Sequence, residues 1–445
     1  MRIIARLLLA VVVVFVLLQF VRRSIPTSPA TTELAIQPEV RHILEKDCYS
    51  CHSDQRRLSW FDEIVPAYWL VRDDILTARQ HLNFSTLGAK PAAVQKATLF
   101  EAVNMIQLGA MPLQQYTLLH PGARVTPEEL ATLKSYLAPW STPAAAEAAA
   151  ETPESESLVS VPPEPNGLPF EAGFEIWGPI SITDRGDNNS FRIILGNGVA
   201  VDAAQGGNIS PWPDGARFAK IAWAQQLGAD GLIHPGKFIQ VEFMVKNAAT
   251  YKDTEGWGWG RWRGTDLKPY GADGNFVNEC TGCHRPLRGN DYVYTLPISP
   301  ADVGRAETLN RTAAALPASL PFYPLDWRII TLFVDPRTHT MAALYGNDGA
   351  TQAVAAQRSD KAPVPAYSTG AVLALVTWAQ REDPHWFGAR IPDAPLSVEF
   401  VQFDAAGQPP VYRRFAGPGL AEVSADPTAP ARTTFIVNLP PAWLP

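Results

Sequence analysis

Cysteine occurs at four positions in the 445 residues, and these four form two copies of one short pattern. The copies are Cys48-Tyr49-Ser50-Cys51-His52 and Cys280-Thr281-Gly282-Cys283-His284. Two thiols three positions apart can each bond one vinyl group of a porphyrin, and the next histidine then places its imidazole on the iron. The pattern therefore predicts two covalently bound haem c groups. The predicted attachment and iron-binding residues are Cys48, Cys51, His52, Cys280, Cys283 and His284.

Two other chemistries use closely spaced cysteines. A structural zinc site would need ligand pairs brought together from about 230 residues apart in the chain. A redox-active dithiol needs no histidine after its second cysteine, and here both copies have one. Haem attachment explains more of the pattern than either alternative.

The haem at His52 is expected to have a second protein ligand, because an electron-transfer iron with both axial positions filled rearranges little. The candidate is Met111, in a Gly-Ala-Met-Pro turn ahead of a predicted helix. This is the layout of a small class I cytochrome c, in which the thioether raises the potential. His81 and His120 compete for the role, and Met111 has an alternative as a packing residue.

The haem at His284 is expected to have an open face. No Met-Pro turn follows His284, Met244 lies upstream in a predicted strand, and Met341 belongs to the C-terminal part of the chain. An iron with one protein ligand can bind a small molecule.

The N-terminus is basic and then apolar. Residues Leu7 to Val21 are interrupted only by Gln19, and no small-residue cleavage site precedes Arg22. Residues 1–24 are therefore predicted to be a membrane anchor rather than a cleaved signal. Since c-type haem is attached outside the cytoplasm, we expect the remainder on the periplasmic face of a bacterial inner membrane, or secreted to the periplasm. The net charge of −7, without a basic run elsewhere, excludes nucleic acid as an expected partner.

The texture of the chain changes twice. Residues 25–137 show helical periodicity, and 138–166 are rich in Ala, Pro and Glu, as in a linker. Short β-type segments separated by Gly, Pro and Asn follow. The predicted fold is multidomain α + β: an N-terminal transmembrane helix, an all-α cytochrome c-like domain, and two antiparallel β-sheet domains at 167–305 and 306–445.

The last domain reads as a degenerate copy of the one before it. Residues 214–225 align with 369–380, and 241–243 align with 398–400. The segment at Phe191-Arg192-Ile193-Ile194 is matched to Trp327-Arg328-Ile329-Ile330. The copy has no Cys-x-x-Cys-His and is expected to be haem-free.

The N-terminal part resembles the haem-binding domain of membrane-anchored bacterial c-type cytochromes, over roughly residues 1 to 137. The shared features are Gln19-Phe20, the first motif with Tyr49, Trp60, Pro66, Trp69, the His81-Leu82-Asn83-Phe84-Ser85 box and Met111-Pro112. The resemblance implies electron transfer.

Residues from about 167 to 297 resemble the cytochrome P-460 family. The resemblance rests on Leu195-Gly196-Asn197, Pro211-Trp212-Pro213-Asp214-Gly215, Lys220, Glu242-Phe243-Met244, Gly256-Trp257-Gly258-Trp259-Gly260, the second motif and Asp291-Tyr292-Val293-Tyr294. It implies a small antiparallel sheet with haem at one end, hydroxylamine oxidation, and a lysine cross-linked to the porphyrin. Lys220 matches that lysine, and Arg192 matches a distal arginine.

The residues offer their own reasons and alternatives for these roles. Phe218, Lys220 and Ala222 share one face of a predicted strand, and this face is expected to point inward. Burying a lysine there costs free energy unless the lysine has a role. Lys220 has the alternative of extending to solvent, and Arg192 that of a structural ion pair. Glu242 and Glu279 are further candidate proton acceptors, with the alternative of a solvated or sheet-pairing carboxylate for each.

Three functions remain open for the chain. The first is a periplasmic oxidoreductase that binds hydroxylamine or a similar nitrogenous molecule at the His284 haem, with Lys220 and Arg192 as catalytic residues. Its electrons would pass through the N-terminal haem to a periplasmic or membrane electron-transfer partner. The second is a nitric-oxide-binding protein like the cytochromes c-prime-beta, and the third is a purely electron-transfer dihaem cytochrome.

Overall fold

The computed structural model describes residues 2–28, 32–55, 57–141, 161–298, 313–360, 365–405, 407–424 and 426–445. The chain forms two compact units, Met1–Trp140 and Ser141–Pro445. Most of the predicted linker, and the predicted boundary at residue 305, lie outside the described residues.

The N-terminal unit is helical, as predicted. Its helices are α1 (Arg2–Leu18), α2 (Pro38–Asp47), α3 (Tyr49–His52), α4 (Ala67–His81), α5 (Phe84–Leu87), α6 (Ala92–Gln107), α7 (Gln114–Leu119) and α8 (Pro127–Leu137). Helix α8 begins with a capping box, in which the Thr126 hydroxyl accepts the backbone N–H of Glu129 and the Glu129 carboxylate accepts that of Thr126.

The predicted transmembrane helix is wrong. Within the described part of the chain, no helix has both the length and the apolar content needed to cross a membrane. Helix α1 has 17 residues, or about 26 Å at about 1.5 Å per residue, against about 30 Å of bilayer hydrocarbon. The apolar run continues past Leu18, but the Gln19 side chain donates to Phe15 O at 3.0 Å and accepts the N–H of Val65 at 2.9 Å.

The second unit is built on antiparallel strands. They are β1 (Gly178–Arg185), β2 (Ser190–Gly196), β3 (Arg217–Leu227), β4 (Ile233–Lys246), β5 (Trp257–Arg263), β6 (Lys268–Pro269), β7 (Arg328–Asp335), β8 (Thr340–Gly346), β9 (Val372–Asp383), β10 (Trp386–Gln402), β11 (Val411–Ala416) and β12 (Ala421–Glu422). The helices described in this unit include α9 (Gly198–Gly206), α10 (Val277–His284), α11 (Asp348–Asp360) and α12 (Ala429–Val437).

The prediction of two separate β-sheet domains is also wrong. All the strands in the described residues belong to one 12-stranded sheet. Strand β4 pairs with β7 through Ile233 and Val334, and β1 pairs with β10 through Asp184 and Arg390. The two halves therefore share backbone hydrogen bonds at two seams.

The two halves nevertheless repeat one pattern of strands and helices. Asn197 precedes α9, and its Oδ1 accepts the N–H of Arg217 at 3.0 Å. Asn347 precedes α11, and its Oδ1 accepts the N–H of Val372 at 3.0 Å. The same side chain thus ties each helix to the first residue of the next strand in both halves.

The strand register corrects one of the matches made from sequence. Arg192 pairs with Ala222, and Ala342 pairs with Thr377. Because Ala222 and Thr377 are equivalent, the counterpart of Arg192 is Ala342. Arg328 lies one strand earlier, at the start of β7. An arginine at position 192 is therefore specific to the half with the Cys-x-x-Cys-His motif.

Candidate haem site

Lys220 belongs to a row of side chains across four strands. Ile194, Lys220, Glu242 and Arg261 are successive register partners from β2 to β5. Since neighbouring residues of a strand point to opposite faces, the adjoining row packs into the main core. That row is Ile193, Ile221, Val241 and Trp262. The sequence predicted an inward face for Lys220, but the lysine faces away from the main core.

The face that carries Lys220 meets a second, smaller buried cluster. Phe218, Trp259 and Tyr292 belong to this cluster, and Cys280 packs against it. The predicted attachment residue Cys280 and the predicted cross-linking residue Lys220 therefore lie on one side of the sheet.

His284 is the last residue of α10, and its ring is held in one orientation. Its Nδ1 lies 2.7 Å from the carbonyl oxygen of Tyr292. Burial lowers the pKa of His284 to about 3, so the imidazole is neutral at pH 7. A carbonyl only accepts, so the single ring proton is on Nδ1. The lone pair on Nε2 remains free for a metal.

The turn that carries the Tyr292 carbonyl is fixed by a buried ion pair. Lys246 Nζ lies 2.8 Å from Asp291 Oδ1, and both side chains are less than a tenth exposed. Asp291 Oδ2 accepts the N–H of Trp212 at 2.9 Å, and its carbonyl accepts Trp257 Nε1–H at 3.0 Å. Sequence reasoning missed Lys246 and Asp291 as residues that position His284.

Two aromatic rings enclose the His284 imidazole. The Trp259 ring lies 4.5 Å from it and the Tyr294 ring 4.9 Å, between centroids. The Tyr294 hydroxyl donates to the carbonyl of Cys283 at 2.7 Å. These contacts join the two ends of the haem motif to the sheet and to the following loop.

The charged groups on the Lys220 face form a chain. Lys220 Nζ contacts Glu242 Oε2, and Arg261 Nε lies 2.6 Å from Glu242 Oε1. Arg261 Nη1 continues to Glu279 at 3.3 Å, directly before Cys280 in sequence. Burial, with the positive charges of Arg192 and Arg261, lowers the pKa of Lys220 well below its ordinary value.

Arg192 stands beside this chain on β2. Burial and, after it, the nearby charge of Arg185 lower its pKa to about 9. Its charge in turn lowers the pKa of Lys220 and of His284. The structure therefore brings Arg192, Lys220 and His284 into one electrostatic neighbourhood.

In the N-terminal unit, His52 is held in the same way as His284. Its Nδ1 lies 3.0 Å from the carbonyl oxygen of Leu82. Burial lowers its pKa, so Nε2 again carries the free lone pair. The next residue, Asn83, donates to Asp54 Oδ1 at 2.9 Å and thereby ties this acceptor loop to the residues after His52.

The candidates for the second ligand of the N-terminal iron differ in their contacts. Met111 lies half-buried in the turn between α6 and α7, and its N–H donates to Met105 O at 3.1 Å. Helix α7 carries Tyr116, whose side chain hydrogen-bonds Ser50 between the two cysteines. His81 is exposed, and both ring nitrogens of His120 are hydrogen-bonded, to Tyr116 O and to Asp62.

Three of the four cysteines do not have the character of redox thiols. Burial raises the pKa of Cys48 to about 12, and those of Cys51 and Cys280 to about 11. Reactive dithiols have a depressed pKa instead. Across the described ranges, no group of three or more His, Cys, Asp and Glu side chains is placed to hold a metal ion. The raised pKa values of the thiols argue against the dithiol alternative.

The residues around His284 fit an iron porphyrin. Besides the free Nε2, the site contains two buried donors, Arg192 Nε and Trp259 Nε1, for which the described residues supply no acceptor. Buried donors are normally hydrogen-bonded, so they indicate a polar group that belongs beside them. Haem carries carboxylates, and its iron binds imidazole nitrogen.

The half without a Cys-x-x-Cys-His motif, which is expected to be haem-free, fills the equivalent space with apolar side chains. Ala342, Leu373 and Leu375 stand at the positions of Arg192, Phe218 and Lys220. They form one buried cluster with Ile436 of α12, which is completely buried. A helix covers this face where the other half has the haem motif.

The fold and the site define a haem protein. The comparisons with known families agree: residues 11–139 match the model described as haem-binding domain, and residues 171–295 match the model described as Cytochrome P460. The chain is a haem cytochrome that combines these two domains. These matches confirm the haem-binding domain and the cytochrome P-460 domain, while the class I-like layout of the first domain stays a prediction. The comparison with curated proteins finds no relative that matches the chain.

Proposed function

We propose that the protein is a periplasmic dihaem c-type cytochrome that oxidises hydroxylamine or a similar small nitrogenous molecule at His284. The main support is the position of Lys220, a partly buried amine with a depressed pKa on the sheet face that meets the cluster against which Cys280 packs. An amine that loses its proton easily is a nucleophile. Its placement suits a covalent bond to the edge of a porphyrin.

When bound, an iron porphyrin with one protein ligand supplies an open coordination position and accepts electrons. The protein side chains would do the remaining work. His284 Nε2 would hold the iron, and Arg192 would orient the polar substrate. Glu242 is 13% exposed at its side chain and touches both Lys220 and Arg261. Its carboxylate would receive protons released by the substrate.

The N-terminal unit would carry the electrons onward. His52 and Met111 would hold its haem from two sides, which suits electron transfer. A soluble periplasmic or membrane-bound electron carrier would be the acceptor.

A second candidate function is nitric oxide binding without a lysine–porphyrin bond. The contact between Lys220 Nζ and Glu242 Oε2 favours it, because an amine engaged with a carboxylate is satisfied without a covalent partner. Under this alternative Lys220 and Arg192 would tune ligand affinity rather than catalysis.

Haem counting and peptide mass spectrometry separate these functions. The purified chain is expected to contain two haems, and a peptide with Cys280 and Cys283 is expected to carry haem linked to Lys220. Lys220→Met would abolish that species and the oxidation of hydroxylamine. Lys237→Met, at an exposed lysine on β4, is the matched control and should change neither. A haem peptide without Lys220 and tight nitric oxide binding would support the second function. Absence of haem from the peptide with Cys280 and Cys283 would overturn both.

A further inference from the structure

The hairpin between β9 and β10 reaches from the haem-free half into the haem-bearing half. Strand β9 ends at Asp383 and β10 begins at Trp386, and these two residues are paired. A few residues later, Ala389 pairs with Arg185 of β1. The backbone of one half is thus fixed at the edge of the other.

The tip of this hairpin holds Tyr294. His385 Nδ1 lies 2.6 Å from the carbonyl oxygen of Tyr294, which can only accept. The Trp386 ring meets the Tyr294 ring edge-on, at 5.5 Å and 70°. Tyr294 in turn packs on His284 and donates to Cys283 O. Tyr294 therefore stands between these two residues of the haem-free half and the haem motif.

Trp386 also holds a buried ion pair. Its Nε1–H donates to Asp187 Oδ2 at 3.2 Å, and the Arg185 guanidinium lies 4.4 Å from its ring centre. Asp187 accepts two hydrogen bonds from Arg185, at 2.6 and 2.5 Å. Cation–π contacts and bidentate pairs both fix the plane of a guanidinium. The charge of Arg185 acts on Arg192 and Lys220, so its orientation bears on the site.

We propose that Trp386 and His385 are positioning residues of the His284 haem site, supplied by the haem-free half. Trp386 holds the Tyr294 ring against His284 and keeps Arg185 dry and oriented, and His385 fixes the Tyr294 backbone. This proposal rests on haem binding at His284 and gives the second half of the sheet a role in the site.

The matching hairpin of the haem-bearing half provides a control. Between β3 and β4, Leu232 reaches across the other seam into the apolar cluster of the haem-free half, with Phe333. Leu232→Ala therefore removes a hairpin contact of the same kind on the side without a haem motif.

The test uses the full-length protein with its haems in place. The probe is cyanide, an anion that binds an open ferric iron. We expect Trp386→Leu to admit water beside Arg185 and Arg192, and this water would screen their charges. We expect cyanide binding at the His284 haem to weaken by about threefold or more, a size typical for the loss of one aromatic contact. The electron paramagnetic resonance spectrum of this haem in its ferric state should broaden, because His284 loses its fixed packing.

Further variants separate positioning from folding. Trp386→Phe keeps a ring against Tyr294 and is expected to restore the sharp spectrum while leaving cyanide binding weakened, since the hydrogen bond to Asp187 is lost. Leu232→Ala should leave both readouts as in the wild type. Equal spectra and equal cyanide affinities for Trp386→Leu and the wild type, with two haems bound, would overturn the inference. Absence of haem from the Cys280 and Cys283 peptide in the wild type would instead overturn the proposed function.

Discussion

Lys220 and Leu375 occupy equivalent positions in the two halves of the sheet, and each stands directly opposite a glutamate. The register pairs Lys220 with Glu242 and Leu375 with Glu399. Glu399 has a different cation: Arg432 of α12 donates to its two carboxylate oxygens at 2.8 and 2.7 Å. The positive partner of the glutamate is thus on a strand in one half, at Lys220, and on a helix in the other, at Arg432. That helix covers the face.

Removing Arg432 tests whether this arginine is the cation that stabilises the buried Glu399. Arg432→Leu leaves Glu399, only 4% exposed at its side chain, without its cation. We expect unfolding free energy to fall by about 3–5 kcal/mol, as for other broken buried pairs. Adding Leu375→Lys should restore part of it, because that lysine would stand opposite Glu399. Urea titration measures both, with Arg413→Leu at the exposed pair with Glu422 as a control. Full stability of Arg432→Leu would contradict the assignment.

The sequence was sufficient for the features that depend on local spacing. The two cysteine motifs, the helical first unit and the β-rich remainder all follow from short-range patterns. The alternation of a strand placed Lys220 and Phe218 on one face. It did not give the right direction: the sequence predicted an inward lysine, but the face that carries Lys220 meets the second cluster and not the main core.

Contacts between distant residues could not be read from those patterns. The seam between Asp184 and Arg390 joins residues far apart in the chain, so a continuous sheet looked like two domains. The ion pair of Lys246 and Asp291 spans 45 positions. Hydropathy alone also missed the end of α1, where the Gln19 side chain bonds Val65.

Lys246 and Asp291 should control the electronic properties of the His284 haem. Asp291→Asn weakens the turn that presents the Tyr292 carbonyl to His284 Nδ1. Because this hydrogen bond makes the imidazole a better donor and stabilises ferric iron, we expect the midpoint potential of this haem to rise. The N-terminal haem is an internal control and should keep its potential. Spectroelectrochemistry resolves the two.

The same pair allows a separation of charge from geometry. Asp291→Asn leaves Lys246 buried and unpaired, at a cost of about 3–5 kcal/mol. Lys246→Met with Asp291→Asn removes both charges and should be more stable than the single variant. If the potential shift of the single variant disappeared in the double variant, the buried charge itself, and not the turn, would set the potential.

Met111 is predicted to be the second ligand of the N-terminal iron. Met111→Leu should lower the midpoint potential of that haem, because a thioether ligand raises it, and should open the iron to carbon monoxide. His81→Gln, at the exposed end of α4, is the matched control and should change neither property. The reverse result, with the effect in His81→Gln alone, would assign the ligand to His81.

Asp187 should make the stability of the second unit depend on pH in one direction. Burial raises its pKa, but the charge and hydrogen bonds of Arg185, with smaller contributions from Arg192 and Trp386, together hold it below 3.8. Since the unfolded chain binds this proton more readily, the contribution of Asp187 is present above pH 3.8 and is lost as pH falls through the folded-state pKa. Asp187→Asn should cost about 3–5 kcal/mol at pH 7.

The gap between wild type and Asp187→Asn should therefore narrow on acidification, because a protonated Asp187 resembles asparagine. Urea titrations from pH 7 down to about pH 3 follow this gap across the window. Asp335→Asn is a control, because its partner Arg337 is 63% exposed and exposed pairs contribute little. A gap that stayed constant with pH would show that Trp386 and the backbone, rather than the charge of Asp187, hold Arg185 in place. The ion pair of Arg185 and Asp187 would then result from the contact with Trp386 and would not itself hold Arg185 in place.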